Sequence, residues 1–396
     1  MTTAAVPMPR AIRRLPSGER LLDIAIIAMA VASTCVIVGL IWDISWHRTI
    51  GRDTFWTPAH LAIYLGGTIS GLVCTALVMA ATFGHDEQLK ATSVRFWGFY
   101  APVGVWVAIW GAIAMLTSAP FDNWWHNAYG LDVKVLSPPH VLLGLGMMFI
   151  QLGSLLLAAS RTNAGIVATG WRHWLPYWIG GVWLAMLLQM VFEYSISNNQ
   201  HSSMFYIAMA CTAPIALAAA ARGLGGRWPA TTVALVYMVV ILAMLWILPR
   251  FAATPRLGPI YNPMTHMSPP PFPLWLVVPA AAFDLIYRND QGKHFWRKAL
   301  VAGIAFVVLL LLVQWPFSIF LIHSTFARGW VFAADIWGYS NRLGPWRYQF
   351  WNVPTTPAGA IKWLPLVRGL LGAMVAAIIT TAMGAGFGNW LARVRR

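Results

Sequence analysis

Two stretches of the chain, residues 42–60 and 121–140, carry carboxylate and imidazole side chains in the same order. In each stretch an Asp is followed four residues later by a His, and a second His closes the stretch. The six residues are Asp43, His47 and His60 in the first stretch and Asp122, His126 and His140 in the second. One carboxylate with two imidazoles is a metal-ligand set that suits copper, zinc, iron or nickel. The spacing therefore predicts metal binding in both stretches and leaves the identity of the metal open.

The first stretch is predicted to form the tip of a helical hairpin. Asp43 and His47 are four residues apart at the end of an apolar run, so a continuing helix places both side chains on one face. Thr57 and Pro58 are typical of the N-cap and the first residue of a following helix, which places His60 in its first turn. Two antiparallel neighbours would thus present one carboxylate and two imidazoles to a common point.

The second stretch repeats this pattern, with Ser137 in the N-cap position and Pro138 behind it. The helical hairpin is therefore the predicted repeating unit, and residues 265–274 resemble part of it more faintly. Each stretch also has a central carboxylate, Asp53 or Asp132. We expect these two residues to hold the loops in place instead of binding metal.

The composition indicates a membrane protein. Of 396 residues, 59% are hydrophobic and only 10% are charged, whereas soluble domains have about 25% charged residues. The apolar residues come in runs of about 20, the length that crosses a bilayer. We predict an all-α, polytopic transmembrane helix bundle of about ten spans. The runs centre on residues 21–42, 60–83, 98–119, 139–160, 174–193, 204–221, 230–249, 272–287, 299–320 and 366–392.

Basic residues determine the predicted orientation. The connectors that follow the even-numbered apolar runs are rich in Lys and Arg. By the positive-inside rule these connectors lie in the cytoplasm, which places both termini there as well. The candidate ligands then face the periplasmic or extracellular side of the inner (cytoplasmic) membrane. The net charge of +15 predicts contact with anionic membrane lipid and not with nucleic acid. Residues 1–20 form a predicted cytoplasmic segment, residues 21–160 a four-helix region, and residues 174–396 a six-helix region of unassigned role.

The first stretch resembles the copper-site segment of the C subunit of particulate methane and ammonia monooxygenases. The second resembles the next outer loop of that subunit, and the similarity covers about residues 40–150. The matching features are the D-x3-H-x12-H spacing, Trp46-His47, Arg52-Asp53-Thr54 and Thr57-Pro58-x-His60 in the first stretch, with Trp125-His126 and Pro138-x-His140 in the second.

The resemblance implies a catalytic copper site at Asp43, His47 and His60, with an adjoining metal site in the second stretch. In the family an Asn usually stands where this chain has Asp122, and a charged ligand there would favour a more highly charged metal state. The implied reaction is hydroxylation of a small apolar substrate with O2, using electrons from a donor that the sequence does not identify. Implied partners are additional monooxygenase-type subunits or further copies of the chain.

Two other classes of function stay open. A membrane glycosyltransferase also has an essential Asp in its first outer loop, which would explain Asp43 but neither His47 nor His60. A non-catalytic metal-binding or assembly subunit would keep the ligands without oxidising a substrate. A metal carrier should continue its ligands to the other face, and the sequence has no clear relay of that kind. A haem protein is disfavoured because the His residues cluster at one boundary instead of facing each other in mid-span.

Two polar residues of the C-terminal half have simpler predicted roles. His201 follows a polar loop, from which it could reach the same cavity as the candidate ligands, but an ordinary hairpin turn is the expected position. Asp284 is expected to pair with Arg288, four residues further along a helix.

Overall fold

A computed structural model describes residues 17–51, 53–130, 137–165, 170–196, 199–256, 264–288, 294–336 and 362–396. The helices in these ranges are α1 (Ser17–Thr49), α2 (Pro58–Phe83), α3 (Glu87–Ala91), α4 (Val103–Tyr129), α5 (Pro138–Asn163), α6 (Leu175–Gln189), α7 (Phe192–Ser195), α8 (Ser203–Gly223), α9 (Pro229–Ile247), α10 (Val277–Tyr287), α11 (Phe295–His323) and α12 (Trp363–Leu391). Short 3-10 segments are Gly170–Trp174, Leu248–Arg250, Thr325–Ala327 and Trp330–Phe332. Within these ranges the predicted all-α fold is confirmed, apart from one small hairpin and an isolated β-bridge between Ala252 and His266. Most of the predicted segment 1–20, and Asp132, lie outside the described residues.

Eight of the described helices, α1, α2, α4, α5, α8, α9, α11 and α12, are long and apolar enough to cross a membrane. Helix α6 has 15 residues and α10 has 11, whereas a span needs about 20. Helix α10 begins only at Val277 because the residues before it include Pro269, Pro270, Pro271 and Pro273, which lack a donor N–H and disfavour a helix. The chain is thus a bundle of membrane-type helices, and the count of ten spans stays a prediction.

The small hairpin precedes α4. Its strands, β1 (Val94–Phe96) and β2 (Phe99–Ala101), pair antiparallel. The turn residues Trp97 and Gly98 have φ values of 48° and 89°, as a tight type I′ turn requires. Helix α4 therefore starts later than the predicted run 98–119 and continues past it to Tyr129, which makes Asp122 and His126 helical.

The two predicted hairpins also pack their helices in the same way. A Cβ atom at Gly66 of α2 would lie 2.7 Å from the carbonyl oxygen of Ala32 in α1. A Cβ atom at Gly146 of α5 would lie 2.8 Å from the carbonyl oxygen of Gly111 in α4. These two contacts are related by the same shift of 79 or 80 residues that relates the two ligand sets. Both hairpins therefore have the same close helix approach, which fixes the register of their tips.

The two hairpins pack side by side through α2 and α4, which run antiparallel. Gly67 of α2 lies against Met115 of α4. Seven residues, about two helical turns, separate Gly67 from His60 and Met115 from Asp122. His60 and Asp122 therefore lie at the same level of the bundle, on neighbouring helices.

The C-terminal half of the chain braces the end of α1. The backbone N–H of Ser268 donates a hydrogen bond to Thr49 Oγ1 (2.8 Å), and Ser45 Oγ donates one to the Ser268 carbonyl oxygen (2.5 Å). All three side chains are buried. No helix begins within residues 265–274, whereas α2 and α5 begin at the matching places of the two ligand-bearing stretches. Residues 265–274 instead hold the last turns of α1 in place.

Candidate metal centres

Asp43, His47 and His60, called here the first cluster, converge where α1 ends and α2 begins. His60 Nε2 lies 3.1 Å from Asp43 Oδ1, and His47 Nε2 lies 3.7 Å from Asp43 Oδ2. Helix α1 continues to Thr49, so Asp43 and His47 share a face as their spacing predicts. The side chain of His47 is 46% exposed, against 18% for Asp43 and 19% for His60. The first cluster is therefore open on the side of His47.

A fourth side chain, Asp53, reaches the first cluster from the loop. Asp53 Oδ2 lies 3.3 Å from His60 Nε2 and 3.5 Å from His47 Nε2. The hydrogen bond with His47 and the charges of both imidazoles lower the pKa of the Asp53 carboxyl to about 2. Ligand atoms of Asp43, Asp53 and His60 lie within 4.8 Å of one another. His47 is outside this group of three, although its Nε2 is 3.7 Å from Asp43 and 3.5 Å from Asp53. The expectation that Asp53 only holds the loop missed this contact; the sole signal was a second carboxylate in the same short loop.

The loop before α2 orients the ring of His60. His60 Nδ1 lies 2.8 Å from the carbonyl oxygen of Thr54. Because a carbonyl oxygen only accepts, Nδ1 must carry the proton, which leaves the lone pair of a neutral His60 on Nε2. The N–H of Thr54 donates in turn to Thr57 Oγ1 (2.8 Å). The ring nitrogen that faces Asp43 and Asp53 is therefore the one able to bind a cation.

Asp122, His126 and His140, called the second cluster, converge in the same manner. Asp122 Oδ1 lies 3.4 Å from His140 Nε2, and Asp122 Oδ2 lies 3.4 Å from His126 Nε2. His126 Nδ1 is 3.3 Å from the carbonyl oxygen of Gly130, so its Nε2 also faces the carboxylate. Ligand atoms of all three residues lie within 4.8 Å of one another.

Both helices start where the sequence predicts, but the predicted N-cap hydrogen bonds do not form. Pro58 and Pro138 are the first residues of α2 and α5, and Thr57 and Ser137 occupy the N-cap positions. Neither side chain caps its helix. Thr57 Oγ1 accepts from the loop residue Thr54 instead, so its hydroxyl stabilises the loop and not the helix end.

Tyr64 lies near both clusters. Tyr64 follows His60 by one turn of α2, and their ring centres are 6.1 Å apart. Its phenol is within electrostatic reach of Asp122 as well as of Asp43 and Asp53. Together with the α2–α4 register, this position indicates that the two clusters are neighbours at one end of the bundle.

Both clusters fit a bound cation. Asp43 Oδ1 and Asp122 Oδ1 are buried and, within the described part of the chain, neither accepts a well-formed hydrogen bond. Each faces an imidazole Nε2 instead. A buried carboxylate oxygen without a donor is costly, and a metal ion between the carboxylate and the imidazoles would satisfy it. Carboxylate oxygen and imidazole nitrogen are donors for copper, zinc and iron.

Comparison with known proteins adds no relative. No family model matches the chain, and neither a curated protein nor a solved structure matches it.

The two simpler predictions for the C-terminal half meet different outcomes. His201 lies in the turn before α8 but is buried, with its ring 4.4 Å from and perpendicular to that of Trp315. Burial is the main reason that the pKa of His201 falls to about 4. The carboxylate of Asp284 accepts hydrogen bonds from the backbone N–H groups of Ala230 and Thr231, at 3.0 and 2.8 Å. Arg288 also acts on this carboxylate through its charge, but the hydrogen bonds to α9 are the closest contacts. Asp284 thus caps α9, because tertiary packing brings the start of that helix to a buried carboxylate.

Proposed function

We propose that the chain is a copper-dependent membrane monooxygenase, or the metal-binding subunit of one, which hydroxylates a small apolar substrate with O2. The convergence of Asp43, His47 and His60 at one end of a bundle of apolar helices carries this proposal. These three residues would hold the catalytic copper, and the second cluster would hold a further metal ion. The resemblance of the loops to the copper-site segment supports copper among the metals that the donors accept.

Copper, when bound, would supply the binding and reduction of O2. One oxygen atom enters a C–H bond of the substrate and the other leaves as water, which consumes two electrons from an external donor and two protons. Residues around the first cluster hold the metal-binding side chains in place. Thr54 fixes the ring of His60, and the Ser268 contacts fix the end of α1 that carries Asp43 and His47.

Apolar side chains surround the tips of both hairpins. Near the first cluster, Trp56 and Leu65 are 72% and 52% exposed. Near the second, Trp124 and Tyr129 are exposed as well. In a bilayer such residues form an apolar approach that suits a poorly polar substrate and limits the access of water.

The proposed setting is the inner (cytoplasmic) membrane, with both termini in the cytoplasm and both clusters toward the outer side. Basic residues support this orientation, since Arg161 and Arg172 pair with Asp23 at the opposite end of α1 from the first cluster. Membrane lipid surrounds the bundle, and further monooxygenase-type subunits or copies of the chain are proposed as partners.

The test combines metal analysis with isotope transfer. The protein, purified in detergent, would be assayed for bound copper and for 18O from 18O2 in the hydroxylation of a short alkane, with a chemical reductant. His47→Ala and His60→Ala should lose most copper of the first cluster and the labelled product. His85→Ala, an exposed His between α2 and α3, is the matched control and should lose neither.

The outcomes separate the alternatives. Full copper occupancy in both cluster variants would remove the first cluster as a copper site. Stoichiometric copper without labelled product in any assembly of subunits would favour the non-catalytic metal-binding class. Sugar transfer that depends on Asp43 but survives the His substitutions would favour the glycosyltransferase class.

A further inference from the structure

We propose that Asp53 is a fourth ligand of the first cluster, and that the resulting two-carboxylate, two-imidazole site selects Cu(II) over Cu(I). This inference rests on the proposed metal site but is not required by it. Asp53 Oδ2 lies at nearly equal distances, 3.3 and 3.5 Å, from the two imidazole Nε2 atoms that would bind the metal. Asp53 therefore presents a carboxylate oxygen to both ring nitrogens.

The arrangement of the two carboxylates has the form of a ligand shell. Asp43 reaches both His47 Nε2 and His60 Nε2 from α1, and Asp53 reaches the same two atoms from the loop. The imidazoles therefore lie between carboxylates from two separate elements. An ion among the four side chains would have two oxygen and two nitrogen donors, a set that is typical of Cu(II) in tetragonal geometry.

Charge decides between the oxidation states of copper. Two ionised carboxylates and two neutral imidazoles carry a charge of −2, which a divalent ion neutralises and a monovalent ion does not. The Asp43 and Asp53 side chains are only 18% and 23% exposed, so water screens an uncompensated charge poorly. Soft thiolate and thioether donors, which select Cu(I), are absent from this group of four side chains.

The rival role for Asp53 is to shape the loop. The hydrogen bond from the Thr54 N–H to Thr57 Oγ1 shapes the same loop and, through the Thr54 carbonyl, orients His60, but it places no charge beside the metal. Thr57→Val therefore perturbs the loop and keeps the carboxylate, whereas Asp53→Asn keeps the size of the side chain and removes its charge. Comparison of these two variants separates ligation from loop geometry.

The experiment uses the full chain in detergent, in a background of His126→Ala and His140→Ala so that only the first cluster is loaded. The protein is stripped with a chelator and titrated with Cu(II), and separately with Cu(I) without oxygen, against competing chelators. The electron paramagnetic resonance spectrum of the Cu(II) form is recorded, because its hyperfine splitting responds to the replacement of a charged oxygen donor.

Asp53→Asn should weaken Cu(II) binding by more than about 100-fold, the upper end of what the loss of an outer partner costs, weaken Cu(I) binding less, and change the Cu(II) spectrum. Thr57→Val should weaken Cu(II) and Cu(I) binding by similar factors, because it loosens the loop and leaves the charge of the site unchanged. An unchanged spectrum in Asp53→Asn, or a Cu(I) loss equal to the Cu(II) loss, would overturn the inference. If His47→Ala also retains copper, the metal site itself fails. If only Asp53→Asn retains the parental behaviour, the metal site stands and the fourth ligand is withdrawn.

Discussion

The Nδ1 atom of His60 lies 2.8 Å from the carbonyl oxygen of Thr54, in the loop that connects α1 to α2. This bond fixes the tautomer and orientation of a ring whose Nε2 faces two carboxylates. Because the acceptor is a backbone carbonyl, the geometry of the loop determines where the nitrogen points. The loop is therefore part of the candidate metal centre.

Loosening this loop should weaken metal binding without removing a ligand. Thr57→Val removes the acceptor for the Thr54 N–H and frees the carbonyl that orients His60. We expect the copper affinity of the first cluster to fall by about 10–100-fold, as for other outer partners of metal ligands. Competition with a chelator measures the change. Thr117→Val, which loses a bond only within its own helix, is the control, and equal affinities of the two variants would contradict the prediction.

The close approach of α1 and α2 predicts a packing effect at Gly66. A Cβ atom there would lie 2.7 Å from a backbone oxygen of Ala32, so Gly66→Ala forces the two helices apart. We expect a loss of about 1–3 kcal/mol in stability and weaker metal binding at the hairpin tip. Gly386→Ala, in a helix with open space around the glycine, should instead be neutral or stabilising by up to about 1 kcal/mol. Thermal unfolding in detergent distinguishes the two, and equal midpoints would contradict the argument.

The sequence was sufficient for the features that depend on local rules. The spacing of Asp43 and His47 predicted a shared helix face, and α1 does continue past both residues. Pro58 and Pro138 predicted the first residues of α2 and α5, because Pro fits the start of a helix and not its interior. The pairing of each Asp with two imidazoles follows from these local features once hairpins form.

The features that the sequence did not predict depend on tertiary contacts. Asp53 reaches two imidazoles only because the loop folds back across the hairpin tip. Asp284 lies in α10, yet its closest hydrogen bonds are to the start of α9, because α9 and α10 pack together. From the sequence alone, a carboxylate has several candidate hydrogen-bond partners. The packing of the helices and loops determines which of them it contacts.

His201 predicts a pH dependence of stability. Its pKa in the folded chain is about 4, through burial and then the nearby charge of His323, against about 6.5 for an unperturbed His. As the pH falls from 6.5 to 4, the unfolded chain takes up a proton that the folded chain does not, so the free energy of unfolding decreases. His201→Phe should lose less stability than the parent over this range. Unfolding midpoints against pH test this, with the exposed His85→Phe as control; parallel curves for parent and His201→Phe would rule the effect out.

The proposed orientation predicts a labelling pattern. After Cys35, Cys74 and Cys211 are replaced by Ala, single cysteines can be introduced by Trp56→Cys near the first cluster and by His85→Cys at the opposite end. Both positions are exposed. A membrane-impermeant maleimide should label the first in intact cells and the second only after the membrane is opened. The reverse pattern would invert the proposed topology.

Asp122 gives the prediction that separates a working second cluster from a structural copy of the first. Its two carboxylate oxygens each lie 3.4 Å from one imidazole Nε2. Asp122→Asn keeps an oxygen donor and loses the charge, whereas Asp122→Ala loses both. Copper or zinc bound at the second cluster, measured in a His47→Ala, His60→Ala background, should therefore fall modestly in the Asn variant and almost completely in the Ala variant.

The charge of Asp122 adds a second readout to this comparison. If Asp122 favours a divalent ion, the Asn variant should lose more affinity for Cu(II) than for Cu(I), since only the neutralisation of charge has changed. Asn123→Ala, an exposed neighbour on the same helix, should bind as the parent does. Equal metal contents of the parent, the Asn variant and the Ala variant would show that the second cluster binds no metal through Asp122. The repeat would then conserve a hairpin geometry, through glycines such as Gly146, without conserving the chemistry of the first cluster.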